Sequence, residues 1–168
     1  LFATLEMVNR GYIDVKSLFG SWAGAMGQPQ FMPSSYLAYA QDFDGDGRRD
    51  IWKNEGDVFA SIANYLAKHR WRANQTWGRK VNVSPELVNS LGSPTRRAAP
   101  GCRATTYDQK PLSEWQSLGV RRANGGNLPE RDLLAALVLP DGAGGDAYLV
   151  YQNYAAIMAY NCAHLYAV

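Results

Sequence analysis

Three aspartates at alternate positions, Asp42, Asp44 and Asp46, stand directly before Gly47 and make up half of a calcium loop of the EF-hand type. Ca²⁺ takes hard oxygen ligands, and such loops supply them from alternate side chains, turn sharply at a glycine, and add the backbone carbonyl of the next residue, here Arg48. The bidentate Glu that normally closes the shell is replaced by Lys53, so Asp57 is the expected closing ligand, with Asp50 or water assisting. The alternative is an unmetallated acidic turn, but three carboxylates in five residues repel one another without a cation. The role of such an ion is structural: it ties the segment around Tyr36 to the helix expected near Asp57.

Just upstream, Gly20-Ser-Trp-Ala-Gly-Ala-Met-Gly-Gln-Pro-Gln-Phe-Met-Pro-Ser-Ser-Tyr36 is held open as a loop by glycines, prolines and small residues. Trp22, Gln28, Gln30, Phe31 and Tyr36 decorate it. Aromatic faces cover the C–H surface of a sugar ring while amides pair with its hydroxyls, so the loop suits a hydroxyl-rich ligand.

Glycoside cleavage needs a carboxylic acid to protonate the leaving oxygen, and hydrolases usually add a second carboxylate. The fifteen acidic residues offer no convincing pair. Six lie between Asp42 and Asp57; Glu114, Glu130 and Asp132 read as solvated; Glu86 complements a helix first turn; Glu6 reads as a surface group. His69 and His164 have no Ser–Asp or Cys partner arranged around them, so a nucleophilic triad is not supported. Gly20–Gly27 lacks the lysine and the strand–helix frame of a phosphate loop. A net charge of +2 without a basic block argues against a nucleic-acid partner. No stretch reaches the ~18 apolar residues of a membrane span.

The elements that must position these residues read as one α+β domain over 1–168, mainly helical, with a small β-hairpin. Residues 1–10 form a helix with Leu1, Leu5 and Val8 on one face, capped by Gly11. Ser34 or Ser35 starts a short helix to about Gln41 that packs Tyr36, Leu37 and Tyr39, and Asp57 caps a helix to about His69 with Val58, Ile62 and Leu66 as its stripe. Short helices are expected at 85–90 and 111–118 in a loop-rich middle. Leu133–Leu139 and Ala147–Tyr151 pair around Pro140–Gly145, and 153–168 is a buried closing helix. Cys102 and Cys162 permit either a disulfide, suited to an oxidising compartment, or two buried thiols. The chain opens inside a helix, with neither Met nor a basic leader, and is expected to be the C-terminal portion of a longer catalytic domain.

The Gly20–Tyr36 stretch, Asp42-Phe-Asp-Gly-Asp-Gly47, Ser61-Ile-Ala-Asn-Tyr-Leu66, Leu112-Ser-Glu-Trp115, Leu128-Pro129 and Tyr160-Asn161 together resemble the membrane-bound lytic murein transglycosylase B family. The resemblance implies a lysozyme-like core and cleavage, without water, of the β-1,4 bond between N-acetylmuramic acid and N-acetylglucosamine in peptidoglycan. A lone Glu serves as acid and then base while the muramic acid C6 hydroxyl attacks C1, leaving a 1,6-anhydro end. By motif position, Ser21, Gln30, Tyr65, Tyr160, Asn161 and Tyr166 are implied to bind substrate. The loop spacing gives Asp42, Asp44, Asp46, Arg48 and Asp57 as the expected holders of a structural Ca²⁺. The catalytic Glu is expected upstream of Leu1, so this stretch alone is expected to be inactive. The family setting implies a periplasmic protein acting on glycan strands, outer-membrane anchoring through an upstream lipid signal, and partners in cell-wall synthesis or the outer membrane. The rival classes are a non-catalytic peptidoglycan-binding module and a calcium-dependent structural protein.

Overall fold

A computed structural model describes all 168 residues, which divide into two compact units, Leu1–Lys68 and His69–Val168. In the first unit, α1 (Phe2–Asn9) ends where Gly11 takes φ +72°. The Gly11 N–H then reaches the Val8 carbonyl and the Tyr12 N–H the Met7 carbonyl, each at 3.0 Å, which satisfies two of the carbonyls a helix end leaves open. Met7 is the side chain α1 buries, whereas Leu1 and Leu5 of the expected stripe are exposed. Pro33 opens α2 (Pro33–Tyr39), its fixed φ suiting a first helical turn, and α2 packs on both α1 and α3 (Glu55–Lys68).

The start of α3 corrects one expectation. Asp57 is not its cap: the Asn54 side-chain oxygen accepts from Gly56 N (2.9 Å) and Asp57 N (3.3 Å). This leaves the fully buried Asp57 carboxylate free to turn toward the acidic loop.

The second unit is organised by a five-stranded antiparallel sheet rather than by the small hairpin expected. Its strands are β1 (Gly78–Asn82), β4 (Lys110–Pro111), β5 (Arg121–Arg122), β6 (Leu134–Val138) and β7 (Ala147–Val150), in the order β4-β6-β7-β1-β5. A separate hairpin pairs β2 (Arg96–Arg97) with β3 (Thr105–Thr106). The apolar run of β6 buries both faces, because alternate residues of a strand point to opposite sides. Ala135 and Leu137 join Leu149, Leu112 and Trp115, where α5 (Leu112–Ser117) covers one face and the Trp115 indole donates to the Ala135 carbonyl at 2.8 Å. Ala136 and Val138 join Val150, Tyr154, Met158, Ala98, Ala99 and Cys102, where α6 (Gln152–Tyr160) and the β2–β3 hairpin cover the other. The short α4 (Pro85–Ser90) is capped by Ser84.

Asn153 fixes the start of α6. Buried completely, its side chain accepts from Arg72 N (2.7 Å) and donates to the carbonyls of Arg72 (2.9 Å) and Gln75 (2.6 Å). The closing helix is not continuous: α6 stops at Tyr160, Asn161 and Ala163 are extended, and α7 (His164–Ala167) follows. Cys162, in that break, is bonded to Cys102, which resolves the cysteine alternatives in favour of a disulfide. No helix is long and apolar enough to cross a membrane.

Candidate functional site

The Gly20–Phe31 loop is shaped by its own backbone. Met26 pairs with Phe31 through two hydrogen bonds of 2.8 and 3.0 Å, and Gly20 bridges Met26 on the other side. Gly27 sits at φ +66°, and a Cβ there would come within 2.7 Å of Ile51, so only glycine fits this turn. The loop is bonded to the acidic segment: Gln28 donates its backbone N–H to Ile51 O (2.9 Å) and its side-chain amide to Trp52 O (3.0 Å). Gln30 stands at φ +52°, a strained conformation for a residue with a Cβ, and is held there by its amide donating to Gly27 O at 2.9 Å while the residue stays exposed.

Ser21 Oγ accepts from Ala25 N (3.1 Å) and lines an open groove of about 410 Å³ together with Thr4, Phe19, Ala23, Met32 and Pro33. Trp22 is fully exposed. Phe31, expected to decorate the loop, is instead core, and Tyr36 is buried as the packing expected of its helix requires. Phe31 packs 5.7 Å from the Tyr65 ring, and Tyr36 donates its hydroxyl to Arg49 O at 3.0 Å. Burial pushes the Tyr36 phenol up to about 12. Tyr65 is also buried, 4.7 Å edge-on from Tyr39, and burial raises its phenol. Thus Ser21 and Gln30 face solvent on the loop, whereas Tyr65 supports it from beneath. Glu6 is spent on an exposed ion pair with Arg10.

In the acidic loop, carboxylate oxygens of Asp42, Asp44 and Asp57 lie within 4.8 Å of one another. Asp42 wraps the turn by accepting from Gly45 N (2.7 Å) and Gly47 N (2.9 Å). Asp57 reaches across to accept from Phe43 N (2.8 Å) and Asp50 N (2.6 Å). Asp44 accepts from the Asn54 amide at 2.7 Å, a residue absent from the expected ligand set although its position before α3 marks it as a cap. Asp46 turns to Arg48 N (2.8 Å), and Asp50 to Trp52 N and Lys53 N; neither joins the converging trio. Each carboxylate oxygen keeps a lone pair beyond its backbone bond, so this all-oxygen donor set fits a hard cation.

The remaining candidates lie in the second unit. Tyr160 closes α6 half-buried, while Asn161 and Tyr166 on the following segment are exposed. His164, between them, hydrogen-bonds Tyr154 through Nδ1 and the Thr105 carbonyl through Nε2 at 3.0 Å; burial lowers its pKa. As a solitary histidine in an apolar run it carried no signal in the sequence.

The family model described as Transglycosylase SLT domain matches residues 1–168. The chain is 38% identical over 117 residues to the membrane-bound lytic murein transglycosylase B of Escherichia coli K12, an alignment covering 67% of this chain and 31% of that protein. SltB3 from Pseudomonas aeruginosa, solved with NAG-anhNAM-pentapeptide, is 44% identical with a TM-score of 0.85, over 98% of this chain and 41% of that one. Slt35 from E. coli, solved with calcium, is 30% identical with a TM-score of 0.71, over 98% and 47%. The chain therefore spans less than half the length of each of these proteins.

Proposed function

Because this chain belongs to the SLT transglycosylase family and has its lysozyme-like fold, we propose that the protein it forms part of is a peptidoglycan lytic transglycosylase. The observation that carries this reading is the 44% identity and TM-score of 0.85 to SltB3, solved in complex with NAG-anhNAM-pentapeptide. The reaction cleaves the MurNAc-β-1,4-GlcNAc bond without water. A single Glu protonates the leaving O4; as a carboxylate it then takes the proton of the C6 hydroxyl while that oxygen bonds to C1, which closes the 1,6-anhydro ring. The family resemblance implies a position for this Glu before Leu1; in keeping with that, Glu6 is paired with Arg10 and the carboxylates of the acidic loop hold their own backbone.

In this reading both compact units are parts of one catalytic domain. The candidate sugar contacts of the first unit are Ser21 on its groove and Gln30 on its strained turn, with Tyr65 packed behind; those of the second, taken by itself, are Tyr160, Asn161 and Tyr166. Exposure favours direct sugar contact for Ser21, Gln30, Asn161 and Tyr166 and a supporting role for Tyr65. Asp42, Asp44 and Asp57 would hold Ca²⁺, with Asp46 and the Arg48 carbonyl as further oxygen donors of the same loop, and the ion would neutralise the carboxylates in the segment to which Gln28 is bonded. The disulfide suits an oxidising periplasm, and the membrane-bound relative supports anchoring through an upstream lipid signal.

Incubating the full-length protein with purified sacculi tests the reading. Muropeptides with 1,6-anhydro ends are the expected product. Hydrolytic reducing ends, or sacculus binding without release, would replace it with a hydrolase or with a non-catalytic binding module.

A further inference from the structure

The proposed subsite residues of the second unit share one short segment. Tyr160 ends α6, Asn161 follows it, and Tyr166 lies on α7. Between the helices, Asn161, Cys162 and Ala163 are exposed, and Asn161 and Ala163 are extended, with φ of −140° and −136°. Burial does not repay the entropy of ordering these residues, yet both side-chain tethers that fix them come from the same place, the β2–β3 hairpin and its turn. Cys102, in the turn, is bonded to Cys162. Thr105, the first residue of β3, accepts a hydrogen bond from His164 Nε2 at 3.0 Å.

The second tether is completed from α6. A carbonyl only accepts, so Nε2 carries the imidazole hydrogen and Nδ1 accepts from the Tyr154 hydroxyl, while the Tyr154 and His164 rings stack with their planes 11° apart. The neutral ring is thereby satisfied at both nitrogens. The hairpin is itself anchored, because Ala98, Ala99 and Cys102 are buried with Val138, Val150, Tyr154 and Met158, and β3 lies against β6. One tether fixes a distance but leaves the segment free to turn about it. A second, two residues further on, removes that freedom.

We propose that the β2–β3 hairpin is a clasp that positions Tyr160, Asn161 and Tyr166 for glycan, with the Cys102–Cys162 bond and His164 as its two positioning contacts. The clasp rests on the transglycosylase reading for its ligand. It acts by preorganisation: a binding segment already ordered loses less freedom when the strand arrives, so the clasp tightens binding without touching the reacting atoms.

The test uses the full-length protein and soluble, uncross-linked glycan strands, with three variants: Cys102→Ser/Cys162→Ser, His164→Ala and His164→Gln. A Gln side chain can donate to the Thr105 carbonyl and accept from Tyr154, as the neutral imidazole does. His164→Ala and the double serine variant are expected to raise KM about tenfold with kcat within about twofold, and His164→Gln to restore KM to within about twofold of wild type. An unchanged KM in His164→Ala, a fall in kcat alone, or a Gln variant indistinguishable from Ala would overturn the clasp. Circular dichroism screens each variant for folding; should the serine pair not fold, the Ala–Gln comparison decides. If wild type gives no 1,6-anhydro products, the enzymatic reading fails separately, and calorimetric binding of the same strands takes over. There a tenfold weaker His164→Ala supports the clasp, and equal or absent binding rejects it.

Discussion

The two compact units order their exposed candidate segments by opposite means. Leu1–Lys68 carries eight acidic residues against six Lys and Arg, and it wraps its loop with carboxylates: Asp42, Asp44, Asp50 and Asp57 all accept from backbone N–H groups of the same short stretch. His69–Val168 carries seven acidic residues against eleven basic ones, and it orders its segment with a covalent bond, a neutral imidazole and a sheet buried on both faces. A loop held by like charges is only as firm as the cation that balances them, whereas a segment held by a disulfide answers to redox conditions. The contrast predicts that the halves fail separately and under different reagents.

The strongest way to break the comparison is to remove the disulfide. In the chain-entropy account, a bridge across 60 residues of sequence contributes about 4 kcal/mol. Cys102→Ser/Cys162→Ser should lose about that much, with hydrogen exchange of the full-length protein rising in 96–106 and 152–168 and unchanged in 42–57. Faster exchange across both units would show that they are not independently ordered. Asp57→Ala is the mirror experiment. It removes two charge-assisted hydrogen bonds from a fully buried group, costing about 3 kcal/mol, with the exchange confined to the acidic loop and the start of α3.

Calcium sharpens the contrast further. At a hundredfold excess over Kd the ion should add about 2.7 kcal/mol, seen as a higher Tm in Ca²⁺ than in EDTA. The double serine variant should keep this shift and Asp57→Ala should lose it; identical melting in Ca²⁺ and EDTA would eliminate the site. The smallest expected effect is on pH. Burial depresses the folded-state pKa of His164, so the unfolded chain binds its proton more readily. The stability this group supports is fully present above its ordinary value of about 6.5 and is lost as pH falls through the lower folded value. Between pH 7 and 5, wild type should therefore lose more stability than His164→Gln. Parallel curves would assign the acid sensitivity to other groups.

What was legible in the sequence follows from how each element is encoded. The helix at Pro85–Ser90 and the β6–β7 pair announce themselves through a Ser-Pro start and through apolar runs flanking Pro140–Gly145. Strands β1, β4 and β5 do not: they are short and polar, β4 and β5 are two residues each, and their pairing is dictated by a neighbour rather than by periodicity. The break after Tyr160 was hidden for a related reason. Ala163, Leu165 and Ala167 read as a helical continuation on local propensity, and it is the distant Cys102 and Thr105 that hold the extended residues. In the acidic loop the aspartate spacing identified the donor type, but Asp57 looked like a helix cap because spacing cannot tell whether a carboxylate turns to its own helix or to the loop behind. Phe31 was misplaced for the opposite reason, since an aromatic ring in a glycine-rich loop reads as exposed until the packing beneath it is known.

The bond between Cys102 and Cys162 also has a history in time. Whenever the chain is delivered from its N-terminal end, Cys102 appears first and waits as a lone thiol for 60 more residues, roughly 3–12 s at ordinary synthesis rates. These 168 residues hold no other cysteine, so within that interval Cys102 has no second thiol in this stretch to pair with. A mixed disulfide trapped in that interval would thus mark a copy caught before α6 and α7 arrived, and closure of the bond would record that delivery had reached them.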